Sequence, residues 1–235
     1  MVKSALILAG GLGTRLRSVV PDLPKPMAPI LERPFLAHQI DYWMAQGIEH
    51  FVLSVGYRRE VIEAYFGNSY RGARIDYAVE QSPLGTGGGV LLGAAMLPPG
   101  ERFLLLNGDT YFAVDLARLA AYAAEHDTDW CFSLFRANEA GRYMGMGVEA
   151  DGAISALRSG QEYPGRLANG GVYLVHPRSL AAMPFAAGDK FSLEDDFFAA
   201  AHAAGQRFYG VAFDGAFIDI GVPHDYQRAA AVLTA

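Results

Sequence analysis

Cysteine is almost missing from this chain: Cys131 stands alone among 235 residues. One thiol can form neither an internal disulfide nor a cysteine-ligated zinc site, which suits a reducing cytoplasm. It lies in the apolar run Trp130 to Phe135 and reads as a buried, inert thiol rather than a nucleophile. The six histidines are dispersed without metal-ligand spacing, and His224 is expected to be exposed on a last helix. No apolar run reaches the length of a membrane span. The short one after Lys3 has no cleavage site behind it and reads as a first strand, not a signal peptide. Cations are scarce too. With 19 Lys and Arg against 25 Asp and Glu, the formal charge is −6, and the cations are scattered, which excludes a broad nucleic-acid surface. The substrates are expected to be small anions held in a local pocket.

What the chain does have is glycine near its start. The strand Ala5 to Ala9 runs into Gly10-Gly11-Leu12-Gly13-Thr14-Arg15-Leu16-Arg17, with Leu23-Pro24-Lys25-Pro26-Met27 close behind. Glycines let the backbone approach a phosphate closely, and cations beside them neutralise its charge, so the segment reads as a triphosphate site. A Walker loop is ruled out, because Gly-x-x-x-x-Gly-Lys-Ser/Thr is absent. The dinucleotide fingerprint fails as well: Leu16 stands where a third glycine is needed, and Pro21, Pro24, Pro26 and Pro29 forbid the helix that must follow. Glu32 is then no ribose ligand, and NAD is disfavoured.

These residues resemble the N-terminal signature of the sugar-nucleotidyltransferases, Gly-Gly-x-Gly-Thr-Arg-Leu followed by Pro-Lys-Pro. The resemblance implies that Ala9, Gly10, Gly11, Gly13, Thr14 and Arg15 hold a nucleoside triphosphate, with Arg15 on its phosphates and Lys25 bridging phosphates near the transferred group. At 51% hydrophobic the chain can bury a full core as one large α/β unit, residues 1–235. Many relatives continue into a β-helix or acyltransferase module, whereas here the last motif ends near Tyr226 with one helix left. The catalytic domain alone is expected.

Strand-like and helix-like stretches alternate through the first half. Strands are expected at Ser4–Ala9, Phe51–Val55, Ile75–Val79 and Phe103–Asn107, and helices at Phe35–Gln46, Arg59–Phe66, Gly88–Met96 and Leu116–His126. That alternation gives a Rossmann-like, doubly wound, mostly parallel sheet with helices on both faces and ligands at the carboxyl ends of its strands. In the second half, strands are expected at Asp129–Arg136, Gly145–Ala150, Ala153–Leu157, Gly170–His176 and Arg207–Phe213, with helices at Leu193–Ala204 and Pro223–Thr234. They are expected to insert extra strands and wall the sugar side of the cleft.

Further motifs fall in register with the family. Glu80-Gln81-Ser82-Pro83-Leu84-Gly85-Thr86-Gly87-Gly88-Gly89 matches its second motif, which implies that Gln81 reads a base edge and Gly87 packs against base and ribose. Leu104 to Asp109 is an apolar strand ending in a carboxylate, and Asp219 stands in Phe217-Ile218-Asp219-Ile220-Gly221. Either aspartate alone could as well cap a turn. Together, and matching the family's Gly-Asp and Asp-x-Gly-x-Pro motifs, Asp109 and Asp219 look like a Mg2+ pair, magnesium preferring one or two carboxylates plus phosphate oxygens. On the sugar-phosphate side the resemblance implies Asn107, Asn169, Gly170 and Glu194. Where relatives place Glu-Lys-Pro this chain reads Leu157-Arg158-Ser159-Gly160, so Lys190 and Arg158 become the candidate cations for the sugar phosphate.

The reaction so implied joins a nucleoside triphosphate to a sugar 1-phosphate and releases pyrophosphate, with Arg15, Lys25 and Asp109 as its catalytic groups. Within the family the chain looks most like the bacterial heptose 1-phosphate guanylyltransferases of surface-polysaccharide synthesis, which makes GTP and a sugar 1-phosphate the expected partners. Mannose 1-phosphate guanylyltransferases, uridylyltransferases and a non-catalytic sensing subunit are the alternatives. Homo-oligomerisation stays open, and no nucleic-acid or membrane partner is expected.

Overall fold

The computed structural model describes residues 1–11, 13–16, 18–137, 143, 145–159, 164–182 and 184–234. In chain order the first half forms β1 (Ser4–Leu8), β2 (Pro29–Ile30), β3 (Arg33–Pro34), α1 (Phe35–Ala45), β4 (His50–Val55) and α2 (Arg59–Phe66). It continues with β5 (Ser69–Tyr70), β6 (Ala73–Val79), α3 (Gly85–Ala94), β7 (Phe103–Asn107), β8 (Thr110–Phe112) and α4 (Leu116–Glu125). The second half adds β9 (Trp130–Ala137), β10 (Gly145–Val148), β11 (Ile154–Ser159), β12 (Arg166–Val175) and α5 (Arg178–Ala181). A π-helical turn at Leu193–Phe197 runs into α6 (Phe198–Ala203), followed by β13 (Phe208–Ala212), β14 (Phe217–Asp219) and α7 (Pro223–Leu233).

Four parallel strands, ordered β7-β1-β4-β6, form the centre of the sheet, with Leu6 between Val52 and Leu105 and Ile7 between Leu53 and Leu106. Beyond β7 the sheet turns mixed. Strand β12 pairs antiparallel with β7 and with β9, β13 runs parallel to β9, and β10 and β11 extend the sheet antiparallel. The expected mostly parallel, doubly wound sheet is therefore present, and the second half supplies the extra strands.

Because successive strand residues point to opposite faces, each strand feeds two layers. Ile7, Leu53 and Leu106 pack with Ile40 and Trp43 of α1, Ile62 of α2 and Leu119 of α4, while Leu6, Val52 and Leu105 pack with Val90 of α3, Leu180, Phe197 and Phe198. Fully buried side chains such as Phe51 and Leu105 contribute about 1.5–3 kcal/mol each. A third, smaller cluster joins Leu16, Val20, Ile30 and Phe35 to Ile218, Ile220 and Ala229, so the end of the chain packs beneath the glycine loop.

Strand β12 begins at Arg166, four residues before its expected start, and two helices also differ from their expected form. Helix α3 begins at Gly85, three residues early, because its glycines do not form an open loop. The ring of Phe191 occupies the space a side chain on Gly87 would need, 2.1 Å from where its Cβ would stand, and packing overrides the poor helix propensity of glycine. The helix expected from Leu193 opens instead as a π turn behind Ser192, whose hydroxyl accepts from Asp195 N at 3.0 Å as the serine cap was expected to do.

Cys131 is fully buried in β9, and burial pushes its thiol up to about 12. Iodoacetamide at mildly alkaline pH is expected to leave the native protein unlabelled and to modify one thiol after unfolding in guanidinium, as read by intact mass. An adduct on the folded chain would contradict this burial.

Candidate active site

The chain leaves the carboxyl ends of β1, β4 and β7 through Ala9–Gly11, Gly56–Tyr57 and Asn107–Asp109, and these turns open a cleft of about 540 Å³. Strand β1 has β4 on one side and β7 on the other, so the cleft lies where the strand order reverses, the place at which open α/β sheets take ligands. Its remaining lining comes from Lys25 and Pro26, from Glu80–Pro83, Gly85 and Thr86 beyond β6, and from Glu194.

Lys25 sits on a short 3-10 turn, Lys25–Met27, opened by Pro24. Gly13 adopts a left-handed φ of +58°, and a Cβ there would stand 2.9 Å from Lys25 Cβ, so glycine allows the loop to cross the lysine stem. The Lys25 side chain is only 11% exposed; its ammonium pairs with Asp109 and lies 4.0 Å from Asp219 Oδ1. These carboxylates, distant in sequence, meet because β14 pairs with β8, with Asp219 opposite Thr110, and because Ile220 N donates to Asp109 O at 3.0 Å. From beneath, Gln39 of α1 donates through Nε2 to Asn107 O at 2.9 Å and to Thr110 O at 2.7 Å, holding the turn that carries Asp109.

Two carboxylates turned toward one cation form a donor set that suits magnesium, which takes few protein oxygens and keeps waters or phosphates. No group of three or more His, Cys, Asp or Glu forms among the described residues, so an ion here would draw its other ligands from substrate and solvent.

Glu194, also in the lining, accepts through Oε2 from Thr86 Oγ1 at 2.8 Å and from Ser192 Oγ at 3.3 Å. Behind Asn107 lies the irregular stretch of β12. Asn169 Nδ2 donates to the Tyr173 hydroxyl at 2.8 Å, and Asn169 Oδ1 accepts from Gly171 N at 3.0 Å. Complete burial, reinforced by the nearby Glu194 and Asp109 carboxylates, pushes the Tyr173 phenol far above its ordinary value and keeps it neutral.

The expected site residues thus divide. Ala9, Gly10, Gly11, Lys25, Gln81, Asn107, Asp109 and Glu194 line the cleft, and Asp219 stands beside Lys25. Gly87 does not: its N–H donates to Phe191 O at 3.1 Å and its open face is filled by the Phe191 ring, so it admits a protein side chain, not a base. Asn169 and Gly170 are spent within the protein as well, Asn169 on Tyr173 and Gly170 against Phe112. Arg15 and Lys190 are exposed and outside the lining; Thr14 shares the 3-10 turn Thr14–Leu16 with Arg15. Arg17 and the Arg158 side chain lie outside what is described.

One carboxylate in the cleft was not anticipated. Glu80 follows β6 and is clamped twice, Oε1 accepting from Ser54 Oγ at 3.0 Å and Oε2 from Leu84 N at 3.0 Å. Oε1 also lies 2.5 Å from where a Cβ on Gly10 would stand, which places the carboxylate against the glycine loop. An acid at the carboxyl end of a parallel strand was the available signal, masked by the neighbouring Gln81.

Cleft and sheet together have the form of an α/β fold that takes its ligand over strand carboxyl ends. A family model described as nucleotidyl transferase matches residues 4–235, and the chain belongs to that family. It is 42% identical over 226 residues to the D-glycero-alpha-D-manno-heptose 1-phosphate guanylyltransferase of Aneurinibacillus thermoaerophilus, covering 96% of each chain. The structure of HddC from Yersinia pseudotuberculosis complexed with GMP-PN superposes with a TM-score of 0.84 at 31% identity, over 98% of this chain and 99% of that one. The mannose-1-phosphate guanylyltransferase of Mycobacterium tuberculosis is 34% identical over 97% of this chain, which spans 64% of that longer protein.

Proposed function

We propose that residues 1–235 act as one catalytic unit in the cytoplasm that joins GTP to D-glycero-α-D-manno-heptose 1-phosphate, giving GDP-heptose and pyrophosphate. The observation that carries this reading is Lys25 set between Asp109 and Asp219 at a glycine-lined cleft, with the Glu194 carboxylate in the same lining. A sugar-phosphate oxygen attacks the α-phosphorus in line, the α–β phosphoanhydride bond breaks, and pyrophosphate leaves with the bonding pair. Such a transfer needs the two anions held together and their charge neutralised, with no protein nucleophile. Lys25 supplies a cation to the phosphates, and the backbone at Gly10 and Gly11 lets them approach. Asp109 and Asp219 would hold magnesium, which when bound neutralises charge on the transferring group and the leaving pyrophosphate.

Guanine is favoured by Glu80. A carboxylate only accepts hydrogen bonds, and guanine alone among the common bases offers two adjacent donors, N1–H and N2–H, on its pairing edge. The heptose is favoured because the relative named for it matches this chain along nearly its whole length.

Pyrophosphate release should require a triphosphate, a sugar 1-phosphate and a divalent metal together, and should be fastest with GTP and the heptose in a panel including ITP, UTP, CTP and mannose 1-phosphate. Glu80→Gln is expected to lower kcat/KM for GTP roughly ten- to a hundredfold, and to lower it much less for ITP, which lacks the N2 amine. Equal losses for both would remove Glu80 from base reading. Turnover of a finished nucleotide sugar with a sugar acceptor, in place of pyrophosphate release, would overturn the whole proposal.

A further inference from the structure

One side-chain hydroxyl bridges the start of α3 and the acidic turn at Leu193–Phe197. Thr86, in the first turn of α3, donates to Glu194 Oε2 at 2.8 Å and accepts from Leu193 N at 2.8 Å. Around it the same two segments interlock: Gly87 N donates to Phe191 O at 3.1 Å, and Phe191 N donates to Leu84 O at 3.0 Å. The Phe191 ring is seated against Gly87 and stacks on Phe185 with centroids 4.0 Å apart. Those backbone and ring contacts fix the path of the chain at residue 191. They leave the direction of the Glu194 side chain open, and two hydroxyls meet its Oε2, Thr86 at 2.8 Å and Ser192 at 3.3 Å, of which Thr86 makes the shorter bond and comes from the other segment. A carboxylate with several rotamers costs entropy to order on each binding event, and a hydrogen bond from a fixed donor removes part of that cost beforehand.

We infer that Thr86 is a positioning residue for the sugar subsite: it holds the Glu194 carboxylate in the orientation that receives sugar hydroxyls. Thr86 rides on the loop whose Gln81, Ser82 and Pro83 line the nucleotide end of the cleft, so the loop that seats the nucleotide also orients the acceptor for the second substrate. The inference rests on the reading of Glu194 as a sugar ligand.

The test is a cycle of Thr86→Val and Glu194→Ala in the full chain, with Thr86→Ser as the conservative variant and each Michaelis constant measured separately. Thr86→Val should raise KM for the sugar 1-phosphate on the order of tenfold and leave KM for GTP within about twofold. Thr86→Ser should recover most of the loss, since it restores the hydroxyl. In the Glu194→Ala background Thr86→Val should add little, because the group it orients is gone. Loss of affinity for both substrates alike, failure of Thr86→Ser to recover, or an undiminished effect without Glu194 would each overturn the positioning role. Should Glu194→Ala itself leave the sugar KM unchanged, the reading of Glu194 falls, and the role of Thr86 falls with it.

Discussion

Asparagine in place of Asp109 is expected to cut turnover by roughly two orders of magnitude or more while leaving the fold standing. Asp109 ends β7 in a turn held from below by Gln39 and across by Ile220, contacts made by the backbone of the turn. The near-isosteric amide keeps those contacts, and Lys25 keeps Asp219 within 4.0 Å. What disappears is one negative charge where the proposed site would bring a divalent ion and phosphate oxygens together, and a hundredfold loss corresponds to about 2.7 kcal/mol of transition-state stabilisation. Pyrophosphate release measured across a magnesium titration, with circular dichroism to establish folding, checks it. A folded Asp109→Asn variant that turns over at near wild-type rate in limiting magnesium would place Asp109 outside the metal site.

The second large effect belongs to Lys25→Met, which should disturb both chemistry and stability. In the proposed site Lys25 is a cation for the triphosphate, so removing the ammonium is expected to lower kcat at least a hundredfold. It also leaves the Asp109 and Asp219 carboxylates near each other without the charge between them. Their side chains are 33% and 27% exposed, so solvent screens the repulsion, and the stability loss should be modest, about 1 kcal/mol. Magnesium alone should then raise the melting temperature of the variant more than that of the parent, because a divalent ion can take the place the lysine held. A thermal scan with and without magnesium reads this. Identical shifts in the two proteins would mean that Lys25 and the ion do not share a position.

The parallel core was legible because each of its elements carries its own local signal. The strand at Phe103–Asn107 and the helix at Arg59–Phe66 have the bounds the sequence suggests, since apolar runs end there in residues that leave a strand or close a helix. Motifs at strand ends could be placed on the cleft for the same reason. Contacts made across the chain could not. Strands β8 and β14 are three residues each, too short to show alternation, yet their pairing is what delivers Asp219 to Asp109. The glycines of α3 look like a loop until Phe191, more than a hundred positions away, fills the gap they leave. Asn169 was assigned to the sugar by resemblance alone, and its strand was expected to begin only at Gly170. The strand in fact starts at Arg166, and the irregular pairing between Asn169 and Tyr173 turns the amide back onto the tyrosine. Glu80 was passed over for Gln81, although Glu80 is the half-buried one of the two, held by Ser54 and Leu84.

The late arrival of Asp219 matters for the order in which the molecule becomes competent. As the ribosome makes the chain, the glycine loop, Lys25 and Asp109 emerge early and can settle on the first parallel strands. The second carboxylate comes only after β13, on a strand held in place by Ile218, Ile220 and the α7 residue Ala229 packed against Leu16 and Val20. If Asp219 completes the proposed metal pair, a chain lacking β14 and α7 would carry the glycine loop, Lys25 and Asp109 without it.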